Sequence, residues 1–457
     1  MSKLGFLTAI FTKDRDFYKN LSRLALPLAL GYLVTFSVTL TDSIMIGRLG
    51  DEATSGVYVG GMVGTMLGML MTGVEGGAQV SISQRWGKGE VDSIKKIVSI
   101  FTLTSFLIGT ICAALSFAFP TLFINLFLKN EGGEEEALQY LRVISLSFPP
   151  FCLASALRAT MRSVESAKVG TVASFISFGF NLIFNYLLIF GKLGFPKLGV
   201  FGAGISTVIA RLAELVVMLI YITFFDKKLK FHPRMFVSFD RKLSISFFKT
   251  SLPVTGGQII WIINTFFASF LLGKLDTVGV IPALAVANTL NSLSYILMNG
   301  LSSAVGIIIS KTVGEGKREK IREYSYTVQA IFILLGLITG GALFLLRAPF
   351  VSIYNISLEA KAIAMSLIGV LSVTIIGTCY QSACLLGLVK SGGDVSFILK
   401  NDALFIFLVV IPLSVTVFNL TKDPALVFLT LKADQILKCA VAAVKINRFK
   451  WVKDITK

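Results

Sequence analysis

Residues 24–47 read LALPLALGYLVTFSVTLTDSIMIG, a run in which Asp42 is the lone charge. At a rise of about 1.5 Å per residue, about 20 such residues in a helix cross a hydrocarbon core of about 30 Å. This run therefore decides the solvent of the fold, which is lipid. Segments of the same kind recur outward from it along the whole sequence. Apolar runs over 21–47, 54–84, 94–128, 137–161, 167–190, 199–225, 247–273, 278–311, 322–347, 359–389, 395–420 and 424–448 predict about twelve transmembrane helices. Those well beyond twenty residues imply tilt or projection past the lipid, not additional spans. The expected fold class is all-α and integral to the membrane.

Composition agrees. Of 457 residues, 54% are hydrophobic and 15% charged, with 38 Phe and one His, and mean hydropathy is +0.78. A soluble chain carries about a quarter charged residues, and one water-soluble core cannot hide this much apolar surface. The net charge of +17 would suit nucleic acid, yet Lys and Arg fill short gaps between apolar runs instead of one face, so no nucleic-acid partner is expected. Cys112, Cys152, Cys379, Cys384 and Cys439 lie inside apolar runs and read as small buried hydrophobes. His232 sits in a basic loop, which excludes sites built on histidine clusters. Lys3, Lys13, Arg15 and Lys19 precede the first span without a cleavage pattern, so no cleaved signal peptide is expected. The glycine-rich stretch at 60–77 lacks a following Gly-Lys-Ser/Thr, and neither Cys/His metal spacing nor a Gly-x-Ser-x-Gly elbow occurs. The chain is not expected to be an enzyme or to carry a cofactor. Any active transport must draw on an ion gradient.

Alternate assignment of the loops to two sides places roughly thirty positive residues on one side and about eight on the other. The rich side holds Lys227, Lys228, Lys230, Arg241 and Lys242 of the middle linker, Lys317, Arg318 and Lys320, and both termini. The poor side has scattered positives and the acidic cluster Glu131 and Glu134 to Glu136. The positive-inside rule puts both termini in the cytoplasm, which requires an even number of spans. The halves also resemble one another. Leu26-Pro27 matches Leu252-Pro253, and Gly47-Arg48-Leu49 matches Gly273-Lys274-Leu275. Trp86-Gly87-Lys88-Gly89 matches Val313-Gly314-Glu315-Gly316, and Arg162-Ser163 matches Lys390-Ser391. Two copies of six spans have the same orientation, a parallel repeat about an axis along the membrane normal. The expected organisation is a bundle over 1–225, a cytoplasmic linker over 226–246 and a second bundle over 247–457, pseudo-symmetric about a central cleft.

Ionisable groups inside spans are costly and default to function. Thr35, Thr39 and Asp42 share one helical face of the first span. Asp42 either lies deep in the protein or snorkels at the interface near Arg48. A carboxyl group held in low dielectric can trade a proton within a useful range of pH. Ser174, Ser177, Asn181 and Asn185 form a stripe on the fifth span, which serves either as interhelical glue or as ligands facing Asp42. Thr207, Arg211 and Glu214 follow on the sixth, with Arg211 and Glu214 spaced to neutralise each other. Glu75 stands among glycines in the second span and so faces protein. In the second half, Gln258, Asn288, Tyr295, Gln381, Asn401 and Asp402 are the polar candidates. Met66, Met69 and Tyr295 would give a wet cleft adaptable walls, although any one of them also fits a lipid or core position.

These residues resemble the multidrug and toxic compound extrusion (MATE) family over essentially the whole chain. The resemblance is carried by Leu26-Pro27, Thr41-Asp42 through Gly47-Arg48-Leu49-Gly50, Ser83-Gln84-Arg85-Trp86-Gly87, Asn181 through Asn185 to Gly191, Gly199 through Thr207, and Gly392-Gly393-Asp394. It implies two six-helix bundles around a cleft and export of small organic, often cationic, molecules against H⁺ or Na⁺. It also implies an ion-coupling site at Asp42, Asn181, Asn185 and Thr207, with Asp42 the tentative Na⁺ ligand. Asn185 stands where several members have a second Asp, and Gln258 where some have Glu. Asp402 resembles the family's eleventh-helix Asp, so Glu75, Gln258 and Asp402 are secondary candidates. The implied substrate cleft takes in Met66, Met69, Tyr295, Asn288 and Gln381. The protein is expected to act as a monomer in the cell membrane, bathed in lipid. The rival reading is a flippase for lipid-linked oligosaccharides, which would need a strongly cationic cleft; Arg142, Arg211 and Lys249 are the few candidates.

Overall fold

The computed structural model describes residues 11–124, 133–230, 240–275, 279–354 and 356–456. His232 and Glu131 lie outside these residues. The helices are α1 Arg15–Gly47, α2 Asp51–Lys88, α3 Val91–Ala118, α4 Pro120–Ile124, α5 Glu134–Ser145, α6 Phe148–Ser163, α7 Ala167–Phe190 and α8 Gly199–Ile220 in the first half. In the second half they are α9 Arg241–Gly273, α10 Val280–Gly314, α11 Arg318–Ser352, α12 Leu358–Gln381, α13 Val395–Phe405, α14 Ile411–Thr421, α15 Pro424–Leu431 and α16 Asp434–Asn447. Wider π-type turns extend α8 and α12 and join α13 to α14. Among the described residues the only β pairing is one isolated bridge, Gly393 to Val452.

Among the described residues, ten helices are long and apolar enough to cross a membrane, eleven when the bent pair α5–α6 counts as one. That pair corresponds to the expected span 137–161 and turns by 50° between its parts. Pro149 and Pro150 explain the break. Neither can donate to the α5 ladder, and both suit the first turn of a new helix, where donors are unpaired anyway. The expected span 424–448 is likewise two helices, α15 and α16, and α16 carries Asp434 and Lys438 inward. Five free cysteines are described, three buried and two half-buried.

The chain forms two compact units, Leu30–Thr255 and Met1–Ala29 with Gly256–Lys457. The divisions fall inside α1 and α9, not in the 226–246 linker that the loop composition suggested. Each falls just after a proline within the helix, Pro27 or Pro253, where the backbone ladder lacks a donor. The amino-terminal half of α1 thus packs with the second half of the chain, and that of α9 with the first. Close backbone approach makes this exchange possible. Gly300 of α10 meets Ala29, and Gly73 of α2 meets Thr255, the same contact in both copies of the repeat.

An aspartate pins each exchanged end. Asp14 accepts hydrogen bonds from Lys320 and Tyr324, both at 2.7 Å, and Phe17 stacks on Tyr324. Asp240 accepts one from Lys96 at 3.3 Å. The repeat recurs in finer detail. Ser83 donates to the Ser163 carbonyl at 2.9 Å, and Ser310 donates to the Ser391 carbonyl at 2.9 Å.

The Gly392-Gly393-Asp394 motif closes the carboxyl-terminal tail onto the fold. The buried Trp451 ring occupies the space that a Gly392 side chain would need. Gly393 has φ +100°, a left-handed conformation that favours glycine. Burial works against the charged form of Asp394, but hydrogen bonds from Lys445 and Lys453 outweigh it and hold the carboxyl below its ordinary value.

Two predictions follow from the exchanged helices. A Cβ on Gly300 would lie 2.8 Å from the Ala29 Cβ and backbone nitrogen, whereas one on Gly47 meets nothing within 4 Å. Gly300→Val should cost about 1–3 kcal/mol and lower the melting temperature in detergent, while Gly47→Ala leaves it unchanged. The hydrogen bond from Lys320, helped by Tyr324, lowers the Asp14 pKa from 3.8 to about 2. A depressed folded-state value stabilises above the unfolded pKa and is lost as pH falls through the folded one. Asp14→Asn should therefore melt earlier than the parent at neutral pH, with the gap closing as pH drops from about 4 to about 2.

Candidate functional site

In lipid the usual amphipathic pattern is inverted, and α7 shows it. Phe175, Phe180, Ile183 and Tyr186 are exposed, while Ser174, Ser177, Asn181 and Asn185 are buried on the opposite stripe. Three- and four-residue steps align the four polar groups, and the apolar outer face leaves them turned toward the unit Leu30–Thr255. Ser177 donates to the Ala210 carbonyl of α8 at 3.0 Å, so this member of the stripe acts as interhelical glue. Asn181 and Asn185 do more.

Asn185 Nδ2 donates to Asp42 Oδ1 at 2.5 Å and to Asn181 Oδ1 at 3.2 Å. Asn185 is 1% exposed and Asn181 2%. Asn185 Oδ1 is buried without a hydrogen-bond partner, which leaves an acceptor oxygen in a pocket that already holds a carboxylate. Asp42 itself is half-buried near the end of α1. Thr207 donates to the Ala203 carbonyl of its own helix at 3.1 Å. Tyr140 of α5 lies within reach of both Thr207 and Asp42; the reading of the sequence did not single it out. The donors around Asp42 are one carboxylate and neighbouring amide oxygens, hard ligands suited to a proton or a monovalent cation. Among the described residues no group of three or more His, Cys, Asp or Glu gathers in one place.

A chain of ion pairs sits nearby in the same unit. Glu75 accepts from Arg162 at 2.7 Å and from the Ser155 hydroxyl. Arg158 donates to Ser155 at 3.2 Å and to Ser174 at 3.4 Å, and it pairs with Glu214 at 2.8 Å. Glu214 also pairs with Arg211 at 3.0 Å, as the i,i+3 spacing anticipates, and Arg211 covers the Phe151 ring at 4.8 Å. Glu75, a secondary candidate in the sequence, is thus paired with Arg162. Arg158 and Arg162, near the end of α6, reach inward. Their alignment with Ser155 at three- and four-residue steps was the available signal.

In the unit that contains Gly256–Lys457, Asp402 of α13 pairs with Lys438 of α16 at 2.8 Å. Lys438 pairs a second time with Asp434, one turn earlier, at 2.9 Å. Gln381 donates its amide to the Asp434 carbonyl at 2.8 Å, so this expected cleft residue ties α12 to α16. Thr378 donates to Gln435 at 2.8 Å beside it. Gln258 is half-buried next to Gly257, Tyr295 is half-buried and Asn288 exposed on α10, and Met66 and Met69 are half-buried on α2. Lys438 and Asp434 were missed, although an acid and a lysine four apart inside an apolar run were legible.

Glu214 is 1% exposed and serves two arginines. Removing one member of a buried ionic group strands the remaining charges at about 3–5 kcal/mol. Glu214→Ala should therefore lower the melting temperature and the folded yield sharply, and Glu214→Gln less so, as read by thermal unfolding and gel filtration.

The repeat and the fold find counterparts in known proteins. The model of the MatE family matches residues 27–187 and 253–416, one match in each half of the repeat. A probable multidrug resistance protein NorM of Neisseria meningitidis serogroup B is 25% identical over 354 residues, 77% of this chain and 76% of that protein. The fold is similar to that of VcmN, a MATE transporter of Vibrio cholerae solved as an aspartate-to-asparagine mutant. There the TM-score is 0.87 at 14% identity, covering 98% of this chain and 99% of that one. It is also similar to a MOP superfamily transporter from Pyrococcus furiosus, with a TM-score of 0.85 at 18% identity over 97% of this chain and 100% of that one. With two matched segments that together span most of its length, this multi-pass membrane protein belongs to the MatE family.

Proposed function

We propose that this chain is a cation-coupled antiporter that exports small organic, mostly cationic, compounds by alternating access, with H⁺ or Na⁺ as coupling ion and Asp42 as the switch. One observation carries the reading, the nature of the group that holds Asp42. Among the inward-facing carboxylates, Glu75 and Glu214 contact arginines, and Asp402 and Asp434 contact a lysine. Asp42 is held instead by a neutral amide, Asn185. A charge balanced by a dipole keeps an appetite for a cation that a salt bridge has already satisfied.

Protonation or Na⁺ binding removes that negative charge and weakens the pull on Asn185 Nδ2. The packing of α1 against α7 and α8 then changes. Asn181, Asn185 and Thr207 orient the carboxyl and offer oxygens to the incoming ion. Ion and organic cation compete for one charge, so each binds best to a different state, and each shifts the equilibrium only by its differential affinity. In the unit Leu30–Thr255, Met66 and Met69 supply adaptable contacts for the organic molecule. The excess of Lys and Arg in one set of loops supports cytoplasmic termini in the cell membrane. The protein works as a monomer and needs no cofactor beyond the coupling ion. A lipid-linked oligosaccharide flippase is less well supported, because Arg211 is already neutralised by Glu214.

The test is efflux of a fluorescent organic cation from proteoliposomes, driven separately by a Na⁺ gradient and by a pH gradient. A coupling free energy of about 1–3 kcal/mol corresponds to about 5- to 150-fold, and Asp42→Asn should lower ion-driven efflux by that range. Asn185→Ala should give a smaller loss. Full efflux by Asp42→Asn under both gradients would overturn the reading.

A further inference from the structure

A lysine inside lipid needs a reason. Lys438 is 3% exposed, and an isolated ammonium at such a place is among the costliest groups that a membrane helix can carry. Its ammonium nitrogen lies 6.0 Å from the centroid of the Phe405 ring. Its head bonds Asp402 Oδ1 at 2.8 Å and Asp434 Oδ2 at 2.9 Å. The two acids come from different helices, α13 and α16, so their oxygens converge on one point that the ammonium fills.

Two carboxylates around one ammonium leave a formal charge of −1. The other oxygen of Asp402 faces the bare α-carbon of Gly257 on α9, where an added Cβ would stand 3.6 Å away. The neighbouring backbone is tied down as well, by Gln381 on the Asp434 carbonyl and by Thr378 on Gln435. Helices α9, α12, α13 and α16 thus build a fixed oxygen cluster, and the group inside it is a cation that cannot leave because it is covalently part of α16. An ammonium and a free monovalent ion carry the same charge and compete for the same oxygens.

We propose that Lys438 is a tethered counter-cation. It holds the position between Asp402 and Asp434 that a free monovalent cation would otherwise take, and so closes this acid cluster to external ions. A consequence, which rests on the export reading above, is that Asp42 alone exchanges an ion and one ion moves per cycle. The binding claim does not need that reading.

Thermal unfolding of the purified full-length protein tests it, because an ion that binds only the folded state raises the melting temperature by mass action. All variants carry Asp42→Asn, which silences the amino-half site, and NaCl replaces choline chloride at constant ionic strength. With Lys438 present, melting should be flat from about 1 to about 100 mM NaCl. Lys438→Gln should gain a rise of a few degrees over that range, and the further change Asp402→Asn should abolish the gain. Lys438→Arg should stay flat, because the tethered charge is kept. Where Lys438→Gln alone yields no folded protein, Lys438→Gln with Asp434→Asn keeps the net charge of the cluster and should show the same Asp402-dependent gain. Flat melting of the folded Gln variants overturns the proposal. So does an Asp402-dependent Na⁺ response in protein that retains Lys438. Failure of the export reading would show instead in the efflux of Asp42→Asn and leaves these melting curves untouched.

Discussion

The structure depends on one constraint: a charge placed inside lipid must find its partner within its own bundle. Water is not there to accept it, and the cost of an unpaired ion exceeds the stability of a whole domain. The inward polar faces are therefore networks. Glu75, Ser155, Arg158, Arg162, Glu214 and Arg211 form one in the unit Leu30–Thr255. Asp402, Asp434 and Lys438 form the other. These pairs are weak reasons for stability, since burying both partners consumes most of their attraction. They do fix which helix faces turn inward, and that arrangement gives Asp42 its surroundings.

Symmetry of scaffold and asymmetry of chemistry coexist in this chain. Backbone contacts repeat between the halves: Gly73 on Thr255 and Gly300 on Ala29, Ser83 on Ser163 and Ser310 on Ser391. The acids and amides inside the spans do not repeat. At the offsets of the repeat, Asp42 corresponds to Ala268, Asn181 to Val409 and Asn185 to Leu413. Where Ser155 donates to Glu75, Ser382 accepts at its carbonyl from Ser302. Asp402, in turn, corresponds to Ser174. Packing is shared because both halves must bury helices in the same way, whereas each polar cluster is local and can differ without disturbing the ladder of contacts.

Much of this was legible in the sequence, and the limits have physical causes. Span length and loop charge are one-dimensional quantities, so most of the twelve expected spans and the parallel repeat could be read directly, whereas the breaks within 137–161 and 424–448 could not. The pairing of Arg211 with Glu214 followed from spacing within one helix. The approach of Asn185 to Asp42 depends on two helices meeting; the polar stripe left glue and ligand open, and the family resemblance pointed to the second. The inward reach of Arg158 and Arg162 was not legible, because a cation near a span end looks like a loop residue until the direction of its side chain is known. The exchange of the first halves of α1 and α9 was invisible, since no local pattern says which bundle a helix segment joins. Pro27 and Pro253 were visible, but a proline marks where a helix can yield and not where it goes.

The same reasoning sets Asp42 apart from the more deeply buried acids. A carboxylate clamped by one or two guanidinium groups gains little from a further cation and loses a strong partner if it is protonated. Glu214, with Arg158 and Arg211 on its two oxygens, is such a group. Asp42 has one amide donor on Oδ1, and the carbonyl oxygen of that amide has no partner. Asn181 and, at longer range, Arg211 also act on Asp42, but among the described residues no Lys or Arg pairs with it directly as Arg158 and Arg211 pair with Glu214.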